Sequence, residues 1–206
     1  MFPFKEESAV CYVRFTRMNS EYKILQDNPL ENVIIEKDPD DIFKWHFIIH
    51  DLCNCVYAGG IYYGTIIIPE NYPVVTAKIR FLTPNGRFEQ KQNLVFCGID
   101  HPKVISMATW TVASMFSAII EEMLSCVTTS DCTHKEYLLR QQLSKESIGF
   151  NMKNRDFVHI FRPYFKLLRI DSKFMIHETG NTSPYYNSKP SEKKASEVLL
   201  NLFCLR

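Results

Sequence analysis

Y-P-V-V-T-A-K-I-R-F-L-T-P-N-G-R-F (Tyr72–Phe88), an irregular segment, then N-L-V-F-C-G-I-D-H-P (Asn93–Pro102) and A-T-W-T-V (Ala108–Val112) form the stretch on which the fold of this chain turns. Its opening residues bend at Pro73, and the run Ala77 to Leu82 alternates in the manner of a strand. Thr-Pro-Asn-Gly (Thr83–Gly86) is turn chemistry, because Asn and Gly both tolerate positive φ. From Thr83 to Ser106 no period is sustained, which predicts a long loop with short turns. A helix is then expected over Thr109 to Leu124, where Val112, Met115, Phe116, Ile119, Ile120, Met123 and Leu124 recur as a broad apolar stripe.

On the amino-terminal side, Ser8 to Gln26 reads as a helix, with Ser8 as its cap and Phe15, Met18, Tyr22 and Leu25 at helical spacing. Asp27-Asn-Pro29 ends it. Three β-branched and aromatic runs follow: Val33 to Glu36, Lys44 to His50 and Ile61 to Ile68, the last entered through the turn Gly59-Gly60. On the carboxyl side, Thr128 to Asp131 is a polar break. Thr133 to Ile148 and Asn154 to Leu168 are two further helices, the second kinked or divided at Pro163. Trp45 and Trp110 are the natural core anchors. Beyond Arg169 the composition changes. Thr179 to Lys194 is rich in Ser, Asn, Pro and Lys, as linkers are, and Val198 to Leu205 is a short apolar run. The expected layout is therefore a tail over 1–7, a core domain over 8–168, and a linker with a short terminal segment over 169–206.

The chain has 206 residues, 46% of them apolar and 23% charged, with a net charge of +1. That describes a folded domain with a sizeable core. Near-neutral charge argues against a nucleic-acid binder, which concentrates Lys and Arg on one face. The cysteines number seven, an odd count at irregular spacing in a chain too large to need staples. Reduced thiols and a cytoplasmic setting are expected. Cys53-Asn-Cys55, and Cys126 with Cys132 and His134, lack the paired C-x-x-C framework of a zinc site, so neither metal nor cofactor is expected. No run reaches the 18 or so apolar residues of a membrane span. The first residues turn acidic (Glu6-Glu7) before a signal-like apolar run develops.

The Gly-Gly-x-Tyr-x-Gly string at Gly59 to Gly64, the Thr-Pro-Asn-Gly-Arg-Phe string at Thr83 to Phe88 and the Phe-Asn-x-Lys string at Phe150 to Lys153 occur in one order. That ordered set resembles the ubiquitin-conjugating enzyme family, over roughly Ser8 to Leu168. Within the family it is most similar to the branch at the endoplasmic reticulum membrane that serves protein quality control. The resemblance implies an α+β ubiquitin-conjugating-enzyme fold: an N-terminal helix, a four-stranded antiparallel meander, a central helix and C-terminal helices. It also implies partners, namely ubiquitin or a ubiquitin-like protein, an activating enzyme and a ubiquitin ligase. The implied location is the cytoplasm, with the cytosolic face of the endoplasmic reticulum as its finer form.

The chemistry implied is transfer of ubiquitin from an enzyme thioester to a lysine amine. That reaction needs a thiolate nucleophile and a donor for the oxyanion formed on attack. Asn85 matches the asparagine that stabilises the oxyanion or braces the active-site loop; from local sequence alone it is also a plain turn residue. Counted without a gap from Asn85 forward and from Trp110 back, the nucleophile position falls on Val95, and valine cannot form a thioester. The nearest thiol is Cys97. For Cys97 to be the nucleophile, the loop must lengthen by two residues after Asn85 and shorten before Trp110. Asp100 and His101 lie near it, and a cationic His lowers a thiol pKa. His101-Pro102 also resembles the family's His-Pro, one place off.

The ligase-facing segment departs from the family as well. Its Phe-x-Pro-Pro is replaced by Val74-Val75-Thr76-Ala77, and aromatic anchors carry interface energy. Lys5, Arg14, Arg17 and Lys23 make a mild basic face of the kind that docks the activating enzyme in the family. The favoured reading is a non-catalytic variant that binds ubiquitin or pathway proteins. The alternatives are a divergent active enzyme using Cys97 and a structural subunit that reuses the fold.

Overall fold

The computed structural model describes residues 4–94, 111–125 and 133–170, all within the compact unit Met1–Ile170. The elements are helix α1 (Phe4–Asp27), strands β1 (Val33–Lys37), β2 (Lys44–Ile49), β3 (Tyr62–Ile67) and β4 (Lys78–Phe81), and helices α2 (Val112–Ser125), α3 (His134–Asn151) and α4 (Arg155–Phe161). The strands form one four-stranded sheet in the order β1-β2-β3-β4, each neighbour antiparallel. This is the predicted α+β meander with its flanking helices.

Period-2 alternation gives the sheet two apolar faces. Val33, Ile35, Trp45, Phe47, Ile49, Tyr62, Ile66, Ile79 and Phe81 point to one side, where Met18 and Leu25 of α1 and Val112, Met115, Phe116, Ile119 and Met123 of α2 pack on them. Ile48 and Tyr63 point the other way and meet Phe157, Phe161, Phe165, Leu168 and Ile170, with Ile34 and Leu82 packed against that second cluster. Because both faces are covered, Trp45 to Ile49 are all buried. Trp45 is wholly buried, its ring edge-on to Tyr22 at 5.3 Å. Each large aromatic so placed contributes about 2–3 kcal/mol.

Several helix ends differ from expectation. The first helix begins at Phe4, which puts Ser8 inside it, because Lys5-Glu6-Glu7 are good helix formers with acidic charge at the positive end. Helix α2 begins at Val112, after Thr111, which exchanges two bonds with Ser114: Thr111 N–H to Oγ at 3.0 Å and Ser114 N–H to Oγ1 at 3.1 Å. Leu124 belonged to the predicted stripe but is 37% exposed. Thr133 caps α3 in a reciprocal box with Glu136. Asn154 caps α4, accepting from the Phe157 amide at 3.1 Å. The helix then gives way at Pro163 to a 3-10 turn, Arg162–Tyr164, so the expected break is a division. Trp110, Thr128 to Asp131 and the tail elements lie outside the described residues.

One polar group sits deep in this apolar frame. His46 is fully buried, with Nε2 2.8 Å from Asp38 Oδ2 and Nδ1 2.9 Å from the Tyr63 hydroxyl. Burial pushes its pKa below the ordinary value, although the bond to Asp38 opposes this. The neutral ring therefore donates from Nε2 and accepts at Nδ1. Burial would raise the Asp38 carboxyl, but bonds from Lys44, His46 and the amides of Asp40 and Asp41 outweigh it and hold the carboxyl below the usual range. Both groups have depressed pKa values, so the unfolded chain takes up each proton first. The contribution of the pair to stability is present above a pH of about 6.5, the ordinary imidazole value, and falls as pH drops below it and again below about 4. Urea midpoints should decline from pH 7.5 to 5.5, and His46→Gln should remove that part of the slope. An unchanged slope in the variant would assign it to other groups.

Candidate functional site

The described part of the site is the turn after β4 and the two chain ends that flank residues 95–110. Asn85 is 1% exposed. Its Oδ1 accepts from the amides of Arg87 at 2.9 Å and Phe88 at 2.8 Å, and its Nδ2 donates to Thr83 O at 3.3 Å. The side chain thus bonds its own backbone two and three residues on, which is how Asn fixes a tight turn. Gly86 takes φ +73° there. Its carbonyl accepts from Arg140 Nε of α3 at 3.1 Å, and a Cβ at Gly86 would lie 2.9 Å from Arg140 Cγ. Arg87 pairs with Glu122 of α2. The Phe88 ring stacks on Phe81 at 5.2 Å.

From this turn the chain runs back along β4. The Lys91 amide donates to Phe81 O and the Leu94 amide to Ile79 O, both at 2.8 Å. Leu94 packs against the main core, so the entry to the following segment is anchored on the sheet. Val95, Cys97, Asp100 and His101 lie outside the described residues. The exit is anchored at Val112, whose amide donates to Glu21 Oε2 of α1 at 2.8 Å. Sequence reading passed over Glu21. It is 4% exposed and also accepts from Arg17 Nε at 2.6 Å and the Tyr72 hydroxyl at 2.5 Å, both through Oε1. The available signal was positional: Glu21 lies three residues after Met18 and four before Leu25, on the apolar stripe of α1, where a carboxylate requires partners.

The segment before β4 carries the other departure. Tyr72 is buried at 4%, whereas Val74 is 73% and Val75 42% exposed. Burial, followed by the bond to Glu21, pushes the Tyr72 phenol well above its ordinary pKa, so it remains a donor. The expected basic face is only partly a face. Arg14 donates to Ile68 O and lies 3.4 Å from the centre of the Phe43 ring, and Arg17 turns to Glu21. Lys23 is exposed, and the side chain of Lys5 lies outside the described residues. Buried partners outcompeted solvent for the two arginines, whose long stems reach backbone and ring.

Cys11, Cys53 and Cys55 are free thiols, the first two exposed. Burial raises the Cys55 pKa, which disfavours the thiolate. Cys126 and Cys132 lie outside the described residues. Among the described residues no helix is long and apolar enough to cross a membrane.

Comparison with known proteins identifies the family. The family model "Ubiquitin-conjugating enzyme" matches residues 17–137. The chain is 32% identical over 157 residues to "Ubiquitin-conjugating enzyme E2 J2-like" of Dictyostelium discoideum, covering 74% of this chain and 89% of that protein. It is 29% identical over 186 residues to "Ubiquitin-conjugating enzyme E2 34" of Arabidopsis thaliana, covering 90% and 78%. It is also 29% identical over 152 residues to human "Ubiquitin-conjugating enzyme E2 J2", covering 70% and 56%. Among solved structures, human ubiquitin-conjugating enzyme E2 G1 is similar at a TM-score of 0.45 and 20% identity, over 52% of this chain and 91% of that one. The family match runs from the second half of α1 through the whole sheet and α2 to the start of α3, and on it this chain belongs to the ubiquitin-conjugating enzyme family.

Proposed function

We propose that this chain is a non-catalytic member of the family, which binds ubiquitin or pathway proteins without carrying ubiquitin as a thioester. The observation behind this reading is the residue at the nucleophile position. Counted without a gap between Asn85 and Trp110, that position is Val95, whose side chain has no thiol. A second departure supports it. Val74, exposed where the family has an aromatic, offers a ligase little area. Asn85 suits a bracing role for the loop, since both ends of its amide already serve the turn. By family, the partners are ubiquitin or a ubiquitin-like protein, an activating enzyme and a ligase. The cytosolic face of the endoplasmic reticulum is the proposed site of action, on the strength of the resemblance to that branch.

The test is a thioester assay with activating enzyme, ATP and ubiquitin, resolved with and without reductant. No reductant-sensitive adduct is expected. Val95→Cys should accept ubiquitin weakly at best and discharge it without stimulation by a ligase, because the Val74 surface is still altered. An adduct on the unmodified chain, abolished by Cys97→Ser but not by Cys126→Ser, would instead assign catalysis to Cys97. The neighbouring His101-Pro102, one place off the family register, favours that second reading, because it implies a loop of altered length. Saturable binding of free ubiquitin without an adduct supports the non-catalytic role, and its absence supports a structural subunit.

A further inference from the structure

We propose that Glu21 is a positioning residue that registers the exposed Val74–Val75 loop to the start of α2. What this coupling serves rests on the function proposed above; the coupling itself does not. Helix α2 has no acidic residue in its own first turn, although a helix start carries free N–H groups and partial positive charge. Thr111 and Ser114 satisfy each other's amides. The Val112 amide, at a fully buried residue, is served by a carboxylate 91 residues upstream.

The other partners of that carboxylate are not generic core groups. Tyr72, 51 residues away, lies two positions before the exposed Val74. Arg17, whose side chain is 36% exposed, is on the surface of α1. Oε1 is held by Tyr72 and Arg17 and Oε2 by Val112, so both oxygens are committed and the carboxylate cannot turn without breaking a bond. A protein seated on Val74 and Val75 that displaces Tyr72 therefore leaves Oε1 to Arg17 alone and loosens the orientation in which Oε2 meets the Val112 amide. The loop on one side and the helix that follows residues 95–110 on the other share a single buried charge. Its bonds are stronger than neutral ones in this low-dielectric setting.

The experiment needs no ubiquitin, so its failure is separable from failure of the functional reading. In the full chain, the Val112 amide proton shift and hydrogen-exchange rate are measured in Tyr72→Phe, Glu21→Gln and the double variant. Tyr164→Phe, which removes a different tyrosine–carboxylate bond, the one to Glu36, is the control for general destabilisation. Tyr72→Phe should move the Val112 resonance and speed its exchange by about fivefold or more, part of the roughly tenfold or greater loss expected when one bond to a charged group is removed. Tyr164→Phe should leave both unchanged, and Tyr72→Phe should add nothing once Glu21 is Gln. The proposal is overturned by a Val112 amide indifferent to Tyr72→Phe, by one that responds equally to Tyr164→Phe, or by an undiminished Tyr72→Phe effect in the Glu21→Gln background. Should Glu21→Gln fail to fold, the two tyrosine variants alone decide the matter.

Discussion

Asn151→Leu should lower the stability of the domain by about 3–5 kcal/mol, seen as a lower urea midpoint at unchanged slope. Asn151 is fully buried at the end of α3. Its Nδ2 donates to Ile61 O at 2.8 Å, and its Oδ1 accepts from the Thr83 hydroxyl. That hydroxyl in turn accepts from the Tyr63 amide at 2.9 Å. One amide therefore closes a chain from the residue before β3 to the second residue after β4. Leucine supplies apolar volume but leaves the Ile61 carbonyl and the Thr83 hydroxyl without their partner. Each orphaned buried group costs about 1–3 kcal/mol, more than the gain from the added methyls in a site shaped for a planar amide. Asn151→Asp is the sharper variant, since it changes only one donor into an acceptor. At neutral pH it faces the Ile61 carbonyl with a buried carboxylate and should lose at least as much. A loss under about 1 kcal/mol in both variants would show that water replaces the amide, contrary to the burial.

The same residue marks what sequence could and could not give. Phe-Asn-x-Lys was legible as a family string, but as a pattern its asparagine resembled any helix-end polar residue. Its partners lie 90 and 68 positions away, and no local period encodes them. Strand existence was legible because β-branched and aromatic runs must alternate faces; Val33–Glu36 and Lys44–His50 emerged within a residue of their expected ends. The second core was not legible. Phe157, Phe161 and Phe165 recur at helical spacing, yet the spacing does not say which sheet face they cover. The candidate site divides in the same way. Asn85 was identified through a motif, and its turn role through the chemistry of Asn-Gly. Glu21 was missed because its meaning lies entirely in contacts across the fold. For Val95 and Cys97 the choice rests on a count along the chain, since they lie outside the described residues.

Gly64→Ala should cost about 3 kcal/mol or more, at the upper end of overpacking, and Gly64→Val should prevent folding. In the string Gly59 to Gly64 only Gly59 has positive φ, at +77°. Gly64 is an interior residue of β3, paired with Phe47 of β2 and Phe81 of β4. A Cβ there would stand 2.2 Å from the Arg80 carbonyl oxygen and 2.4 Å from Phe47 Cζ. The Phe47 ring lies across the strand, edge-on to Phe81 at 5.3 Å and to Phe116 of α2 at 4.8 Å. The glycine is therefore required by the neighbouring strand and by an aromatic cluster that crosses to the central helix, not by its own backbone. The two obstacles respond differently to rescue. Phe47→Leu in the Gly64→Ala background removes the ring and should recover part of the loss, although Phe47→Leu alone destabilises. The backbone oxygen of Arg80 cannot be trimmed, so recovery stays incomplete. That sign of coupling, the double variant more stable than the sum of the singles predicts, is what a double-mutant cycle reads. Simple additivity would mean that the strand shifts to accept the methyl, and that the close approach of Phe47 does not dictate the glycine.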